Sequence, residues 1–187
     1  YDPRQALLDL AKGKFTTDRA RHSGEGIFFT SRAFDRFFIL SGDLFFTHHH
    51  DADWLLDHDH GDVSGTLVRL GLLHDTQRTM KEVYSEFTEP NSLDFSKTMV
   101  PVRLAKHEGE KLVSRSQAKR LVARFEMFRT VILDFTGVTE IGQAFADEVF
   151  RVFTTSHPEI SLSVINAATD VQDMIARATA PRERTLR

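Results

Sequence analysis

The first half of the chain combines helical spacing of apolar residues with short apolar runs. Between Asp2 and Gly13 the apolar residues recur at helical spacing, with Pro3 in the first turn, and predict a helix. The segment Ile27–Asp35 lacks strand-like alternation and predicts a second helix. Helical spacing returns at Asp75–Phe87 and predicts a third.

Four short runs of aromatic and branched residues lie between the second and third of these helices. Turn-forming residues bound them, and they predict strands at Phe37–Leu40, Leu44–Thr47, Trp54–Leu56 and Thr66–Leu70. A Gly42-Asp43 turn joins the first two into a tight hairpin. The expected arrangement is an antiparallel meander with helices, of class α+β.

The pattern changes after Thr88–Ser92, a polar linker that contains Pro90. Beyond it, apolar strands alternate with helices. The predicted strands are Met99–Leu104, Thr130–Phe135 and Ile160–Ile165. The predicted helices run from a Ser114/Gln117 capping box to about Phe128, over Gly142–Thr154, and onward from a Thr169 cap. Because this alternation predicts an α/β unit with a parallel sheet, two units are expected, residues 1–90 and 93–187.

Composition narrows the classes of function. The 187 residues carry 24 basic and 27 acidic side chains, a net charge of −3, which argues against bulk attraction to nucleic acid. The absence of cysteine excludes thiolate catalysis and cysteine-ligated metals. No apolar run reaches the roughly 18 residues of a membrane span, and no signal peptide is visible, so a cytoplasmic protein without membrane contact is expected. The chain begins at Tyr1 rather than methionine, as expected of a fragment.

A short glycine loop, in the string His22-Ser23-Gly24-Glu25-Gly26, precedes the second predicted helix. Glycines at a helix start let a phosphate approach the backbone amides, although an isolated G-x-G is more often an ordinary turn. Together with Gly65-Thr66, which opens a later strand, the loop resembles the C-terminal half of the ATP-binding domain shared by sensor histidine kinases, DNA gyrase and MutL. The resemblance implies a partial kinase-like ATPase α/β sandwich in residues 1–90, with Lys14–Ser23 as its lid. It implies nucleotide contacts from Ser23, Gly24, Glu25, Gly26, Gly65 and Thr66.

The elements that this family places before its glycine loops are missing from the chain. The 22 residues before Ser23 contain no asparagine and no D-x-G-x-G motif. In the family these residues hold magnesium, position water and contact adenine, so they lie upstream of Tyr1 or the relation is vestigial. The resemblance implies ATP and magnesium as cofactors of the full-length protein, no cofactor for these residues alone, and no catalytic residue in the chain. Two alternatives to this function stay open. The full-length protein is an active ATP-dependent kinase or ATPase, or the protein is an interaction module that binds no nucleotide.

The second half carries a more specific string, TVILDFTGVTEIGQAFADEVF, at Thr130–Phe150. The string predicts a buried strand that ends in an acid, then a turn, then a helix near Gly142. This order resembles the phosphoacceptor region of STAS domains. The longer segment Val100–Ala178 is similar to a STAS-like domain of unknown function. STAS domains carry a phosphorylated serine or threonine in this turn, whereas Gln143 and Ala144 stand here. The resemblance implies a bacterial regulatory protein, a nucleotide-dependent partner-switching module of the anti-sigma and antagonist type. It implies a protein partner, or self-association, through the STAS-like domain.

Histidines and phenylalanines are the remaining candidates for a site. His48, His50, His58 and His60 lie among aspartates, and both residue types can bind zinc or nickel. The spacing matches no known ligand set, so a solvated hairpin tip is expected and no metal is assigned. The sixteen phenylalanines have few interleaved cations, so they are expected in the core rather than as a stacking platform for nucleic acid.

Overall fold

The computed structural model shows a mixed α+β protein with two small sheets. It describes six ranges of the chain: 3–42, 44–49, 52–57, 64–89, 94–106 and 109–180.

The first half contains three helices and a four-stranded antiparallel sheet. Its elements are α1 (Pro3–Lys12), α2 (Gly26–Ala33), β1 (Arg36–Ser41), β2 (Leu44–His49), β3 (Ala52–Asp57), β4 (Thr66–Gly71) and α3 (Met80–Glu86). The first two helices, the hairpin and the two further strands are therefore confirmed. The strand order is β3-β2-β1-β4, so the simple meander is wrong at its last strand. Strand β4 pairs with the outer side of β1, a choice of neighbour that strand propensity does not encode.

The third helix is shorter than predicted, because the residues before Met80 bind Asp35, the residue that precedes β1. The side chain of Thr79 accepts the amide of Glu82 and completes a capping box, which sets the helix start at Met80. Before this cap, the Thr76 hydroxyl donates to the Asp35 carboxylate at 2.9 Å. The backbone amide of Leu73 also donates to Asp35, and these bonds hold the pKa of that carboxyl below its usual value.

The second half contains a three-stranded parallel sheet with helices packed against it. Its elements are β5 (Lys97–Pro101), a 3₁₀ turn (Val102–Ala105), α4 (Arg115–Val122), a 3₁₀ turn (Phe125–Met127), β6 (Thr130–Asp134), α5 (Gln143–Asp147), a π-helical segment (Glu148–Phe153), α6 (Thr154–Ser156), β7 (Ser161–Ile165) and α7 (Thr169–Thr179). The order β5-β6-β7 and the parallel pairing confirm the predicted alternation of strands and helices.

Helix α4 begins as predicted but ends earlier. The predicted Ser114 capping box is present, since its side chain accepts the amide of Gln117 and the Gln117 side chain accepts the Ser114 amide. The helix ends at Val122 rather than near Phe128, because Arg124 adopts a left-handed conformation with φ of 70°. A non-glycine residue in that region ends a helix at a cost in backbone energy.

Two further boundaries were also predicted wrongly. The first strand of this sheet stops at Pro101, and the chain then forms one 3₁₀ turn. Helix α7 has Ala168 as its N-cap, with no side-chain cap bond, and Thr169 is its first helical residue. The Gln172 side chain donates to the carbonyl of Ala167 instead of closing a capping box.

The hydrophobic core continues from the first half into the second. One face of the parallel sheet is buried, with Val100, Val131 and Leu133 fully covered. Helix α1 packs beside this face, where the Thr98 hydroxyl donates to the carbonyl of Lys12 at 2.6 Å. Aromatic rings complete the connection, including Phe28 of α2 and Phe95, whose centroids lie 4.6 Å apart. The division into units 1–90 and 93–187 stays a prediction, and the packing across it is tight.

Candidate functional site

A cavity of about 610 Å³ lies between the end of α1 and the start of α2. It is lined by residues of the predicted lid, Lys14–Ser23, and by the whole glycine loop, Ser23–Gly26. Its volume lies within the range of small-molecule sites, roughly 300–1,000 Å³. The structure therefore places four of the six residues implied by the ATPase resemblance around one cavity.

Gly24 fixes the shape of this loop. Its φ is +74°, and a Cβ at this position would lie 2.6 Å from backbone atoms of Phe15. The loop is thus folded onto the predicted lid in a way that only glycine allows. Gly26 differs, since a Cβ there would meet no atom within 4 Å.

The start of α2 gives the cavity its polarity. Glu25 is the N-cap residue and makes no side-chain cap bond, so the first backbone amides of the helix are available to a ligand. Arg21 and His22 also line the cavity, and Glu25 is the one carboxylate among its described lining residues. The Arg21 guanidinium is paired with the Asp18 carboxylate at 2.6 Å, so the amides at the positive end of the helix are the groups that suit an anion such as a phosphate.

The other predicted pair, Gly65 and Thr66, lies at the start of β4 and outside the described lining of the cavity. Gly65 has φ of +103°, and the Thr66 hydroxyl hydrogen-bonds to that of Ser41 at 2.9 Å. The contribution of this pair to a nucleotide site stays a prediction.

The predicted lid is attached at its first residues to the end of α4. The Lys14 ammonium donates to the carbonyl of Met127 at 3.2 Å, and the Arg124 guanidinium donates to the carbonyl of Lys14 at 2.5 Å. The same guanidinium lies 5.4 Å from the centroid of the Phe15 ring. A short chain of contacts therefore joins Gly24 to the helix α4 region through Phe15 and Arg124.

A buried ion pair between Asp9 and Lys12 lies next to this attachment and was not predicted. The Lys12 ammonium donates to Asp9 at 2.9 Å and to the carbonyls of Arg120 and Ala123 at 3.0 and 2.9 Å. Burial lowers the pKa of Lys12 to about 8, while Asp9 acts in the opposite direction. In sequence the pair has the i, i+3 spacing of an ordinary surface pair, so no local signal marks it as buried.

The candidate metal ligands do not form a site among the described residues. His48 is buried in β2, where the strand register places it opposite Phe37 and Asp53. This burial contradicts a solvated position for that histidine, while His50, His58 and His60 lie outside the described residues. In the described ranges no three histidine or acidic side chains are grouped to hold a metal ion. The described phenylalanines of the predicted aromatic pairs, by contrast, are buried or half-buried, as expected of core residues.

The turn that the resemblance to STAS domains compares with a phosphoacceptor is closely packed and lacks a hydroxyl at its helix start. Gly142 is the N-cap of α5, and a Cβ there would lie 2.8 Å from Cα of Val113. Gln143 follows as an exposed side chain. One turn further on, the buried Asp147 carboxylate accepts two bonds from Arg151, at 2.5 and 2.7 Å.

Comparison with known proteins bears on this second half alone. No curated protein and no solved structure shows a significant match to the chain. The described residues contain no helix of sufficient length and apolarity to cross a membrane. One protein-family model matches, at residues 117–172, which include α4 from Gln117 onward, β6, the Gly142 turn and the start of α7. The model describes a STAS-like domain of unknown function (DUF4325), and residues 117–172 form a domain of this kind.

Proposed function

We propose that the protein is a regulatory module of partner-switching type, in which a bound nucleotide changes the surface that the STAS-like domain offers to a protein partner. The observation that carries this proposal is the cavity lined by the glycine loop, which is joined by direct contacts to the helix α4 region. The regulatory half of the proposal rests on the resemblance to STAS domains, which the match of residues 117–172 to a STAS-like domain supports.

The cavity suits the phosphates of a nucleotide. Its volume and the uncapped start of α2 favour a compact anion. Gly24 keeps the loop close to Phe15, so the amides are held in place before a ligand arrives. Preorganised amides bind an anion without the entropic cost of ordering a loop.

The described lining of the cavity contains none of the residues that the ATPase resemblance implies for magnesium and adenine. It holds no asparagine and no aspartate, and Glu25 is its one carboxylate. ATP with magnesium is therefore proposed as the ligand of the full-length protein, with the metal and the base held by residues other than these.

Transmission to the STAS-like domain would run through the first residues of the predicted lid. A ligand that displaces Phe15 or Lys14 must also disturb the bond from Arg124, which lies directly after α4. Since Arg124 is in a left-handed conformation, its position affects how the helix ends. With glutamine and alanine where STAS domains carry a hydroxyl, switching is proposed to follow nucleotide binding rather than phosphorylation of this turn.

The test is ATP titration of the full-length protein by calorimetry, with magnesium present, for the wild type and for Gly26→Ala. A Cβ at Gly26 meets no protein atom within 4 Å, so this variant should unfold like the wild type. A loss of ATP affinity of about tenfold or more, about 1.4 kcal/mol, would therefore report on the ligand itself. Gly24→Ala should lose both loop order and binding, because its Cβ would overlap the Phe15 backbone.

Equal ATP affinity in the wild type and both glycine variants would refute the phosphate site and favour a nucleotide-free interaction module. A second measurement addresses transmission. Hydrogen exchange of α4 should respond to ATP in the wild type and lose that response in Arg124→Ala, with binding retained. Binding without any change in α4 would refute the switching mechanism while leaving the nucleotide site intact.

A further inference from the structure

Strand β4 is an edge strand with an apolar surface. Among the described strands its one neighbour is β1. Leu67, Val68 and Leu70 are 52%, 50% and 44% exposed, although they belong to a sheet with a buried face. Leu72 and Leu73, which follow the strand, are exposed as well. An exposed apolar edge of this kind is a template for pairing with another strand.

The hydrogen-bonding direction of the strand is fixed by its neighbours. Backbone groups along an antiparallel strand point alternately to one side and to the other. Ser41 and Leu44 flank the two-residue turn and form the hydrogen-bonded pair that closes it, so the next residue, Leu40, turns its backbone groups to β4, opposite Leu67. Odd-numbered positions in 67–71 therefore use their backbone groups on β1, and Val68 and Leu70 present theirs to the other edge.

The apolar positions around Leu70 are arranged almost symmetrically on its two sides. In the string Leu67-Val68-Arg69-Leu70-Gly71-Leu72-Leu73, antiparallel pairing about Leu70 places apolar residues opposite apolar residues. Leu67 then faces Leu73, Val68 faces Leu72 and Arg69 faces Gly71. Pairing centred on Arg69 would instead place two guanidinium groups directly opposite each other, which is destabilising.

We propose that β4 pairs antiparallel with β4 of a second copy of the chain, with the two-fold axis through Leu70. Facing side chains in an antiparallel ladder lie on the same face of the sheet. The two-fold axis must therefore pass between a residue and the same residue of the second copy. Leu70 meets both requirements, because its backbone groups face no other described strand and its flanks are self-complementary. The two sheets then form one eight-stranded sheet across the dimer.

The size of the contact sets the expected strength. The paired segment has seven residues a side, against the roughly 20–30 residues and ~800 Å² per partner of a standard interface. The dimer should therefore be reversible and dependent on concentration, with a dissociation constant above about 1 µM.

The absence of cysteine allows a direct test of register. Leu70→Cys should form an intermolecular disulfide on mild oxidation, because the Cα atoms of a hydrogen-bonded pair lie about 5.5 Å apart. Arg69→Cys is the matched control and should not, since its two Cα atoms would be more than about 7 Å apart. Efficient bridging by Arg69→Cys, or by neither variant, would overturn the proposed register.

Spin labels on Thr66→Cys give an independent distance. With the axis at Leu70 the labelled positions are eight residues apart along the paired strands, about 27 Å. With the axis at Val68 they are four residues apart, about 14 Å, and that result would overturn the proposal.

Sedimentation of the unlabelled protein tests association itself. Val68→Lys should abolish the dimer, whereas Val113→Lys should preserve it, since Val113 is equally exposed at 51% but lies in the second half. Circular dichroism of both variants is the control for correct folding. A protein that stays monomeric at all concentrations overturns the proposal. So does a dimer that Val68→Lys leaves unchanged, or a monomer whose β4 amides are protected by another occupant.

Discussion

Replacing Lys12 by methionine should destabilise the protein strongly, although a buried lysine is itself an unfavourable feature. Methionine keeps much of the shape of the side chain and removes the ammonium that Asp9 and the carbonyls of Arg120 and Ala123 accept. The Asp9 carboxylate is buried, and the Gln5 amide, which donates to it at 2.9 Å, carries no charge to replace the ammonium. Removing one member of a buried ion pair costs roughly 3–5 kcal/mol.

The double variant Asp9→Leu with Lys12→Met distinguishes an uncompensated charge from a lost contact. Replacement of a whole buried pair by apolar residues of similar volume is often neutral or stabilising by about 1–4 kcal/mol. Here the carbonyls at the end of α4 also lose a donor, which costs about 1–3 kcal/mol. The double variant should therefore lie much closer to the wild type than Lys12→Met does.

The pH dependence follows from the lowered pKa of Lys12. Burial brings this pKa from 10.5 to about 8 in the folded protein, whereas the unfolded chain keeps its proton up to about pH 10.5. Between these values the unfolded state binds more protons, so the free energy of unfolding rises with pH. From about pH 7 to about pH 9.5 the gain of the wild type over Lys12→Met should be roughly 2 kcal/mol.

Urea unfolding followed by far-UV circular dichroism measures both effects. Free energies for the wild type, the single variant and the double variant are compared at several pH values, so that other titrating groups cancel in the differences. Two results would refute the reasoning. One is a single variant as stable as the wild type at neutral pH, and the other is a difference that does not change between about pH 7 and about pH 9.5.

Four further substitutions test the packing of the second half, each by urea unfolding. Ser114→Ala removes the capping box of α4 and should cost about 1 kcal/mol, and an unchanged midpoint would show that the cap is not needed. Asp147→Ala removes a buried acceptor of Arg151 and should cost roughly 1–3 kcal/mol, whereas Arg115→Met, at a mostly exposed side chain, should change stability little. Gly142→Ala should cost roughly 1–3 kcal/mol because its Cβ has no room, and a neutral effect would show that the neighbouring chain can move.

Helices, strands and turns that are determined by residues close to them in sequence could be predicted. The strand at Thr130–Asp134 is a continuous apolar run, and the start of α4 is fixed by a capping box written in adjacent residues. The hairpin between β1 and β2 follows from a turn beginning with Gly42. In each case the residues that cause the structure lie within a few positions of it.

Features that depend on distant contacts could not be predicted in this way. The pairing of β4 with β1 is a choice between two available edges, and the start of α3 depends on Thr76 reaching Asp35, 41 positions away. The left-handed conformation of Arg124 has no local signal, because arginine does not favour it. The glycine loop is intermediate, since its sequence predicts a close approach but the partner, Phe15, is visible only in the structure.

The contacts of Lys12, Lys14 and Arg124 meet at one place, and this restricts how the two halves can influence each other. Lys12 and Lys14 flank Gly13, whose φ of +90° turns the chain between α1 and the predicted lid. Lys12 binds carbonyls at the end of α4, and Lys14 exchanges bonds with Arg124 and Met127 just beyond it. A Cβ on Gly13 would lie 2.7 Å from the Phe95 ring, so this turn cannot slide over the core. Movement of the predicted lid must therefore pivot on the residues after Gly13, and the first structure that it can disturb is the end of α4 in the STAS-like domain.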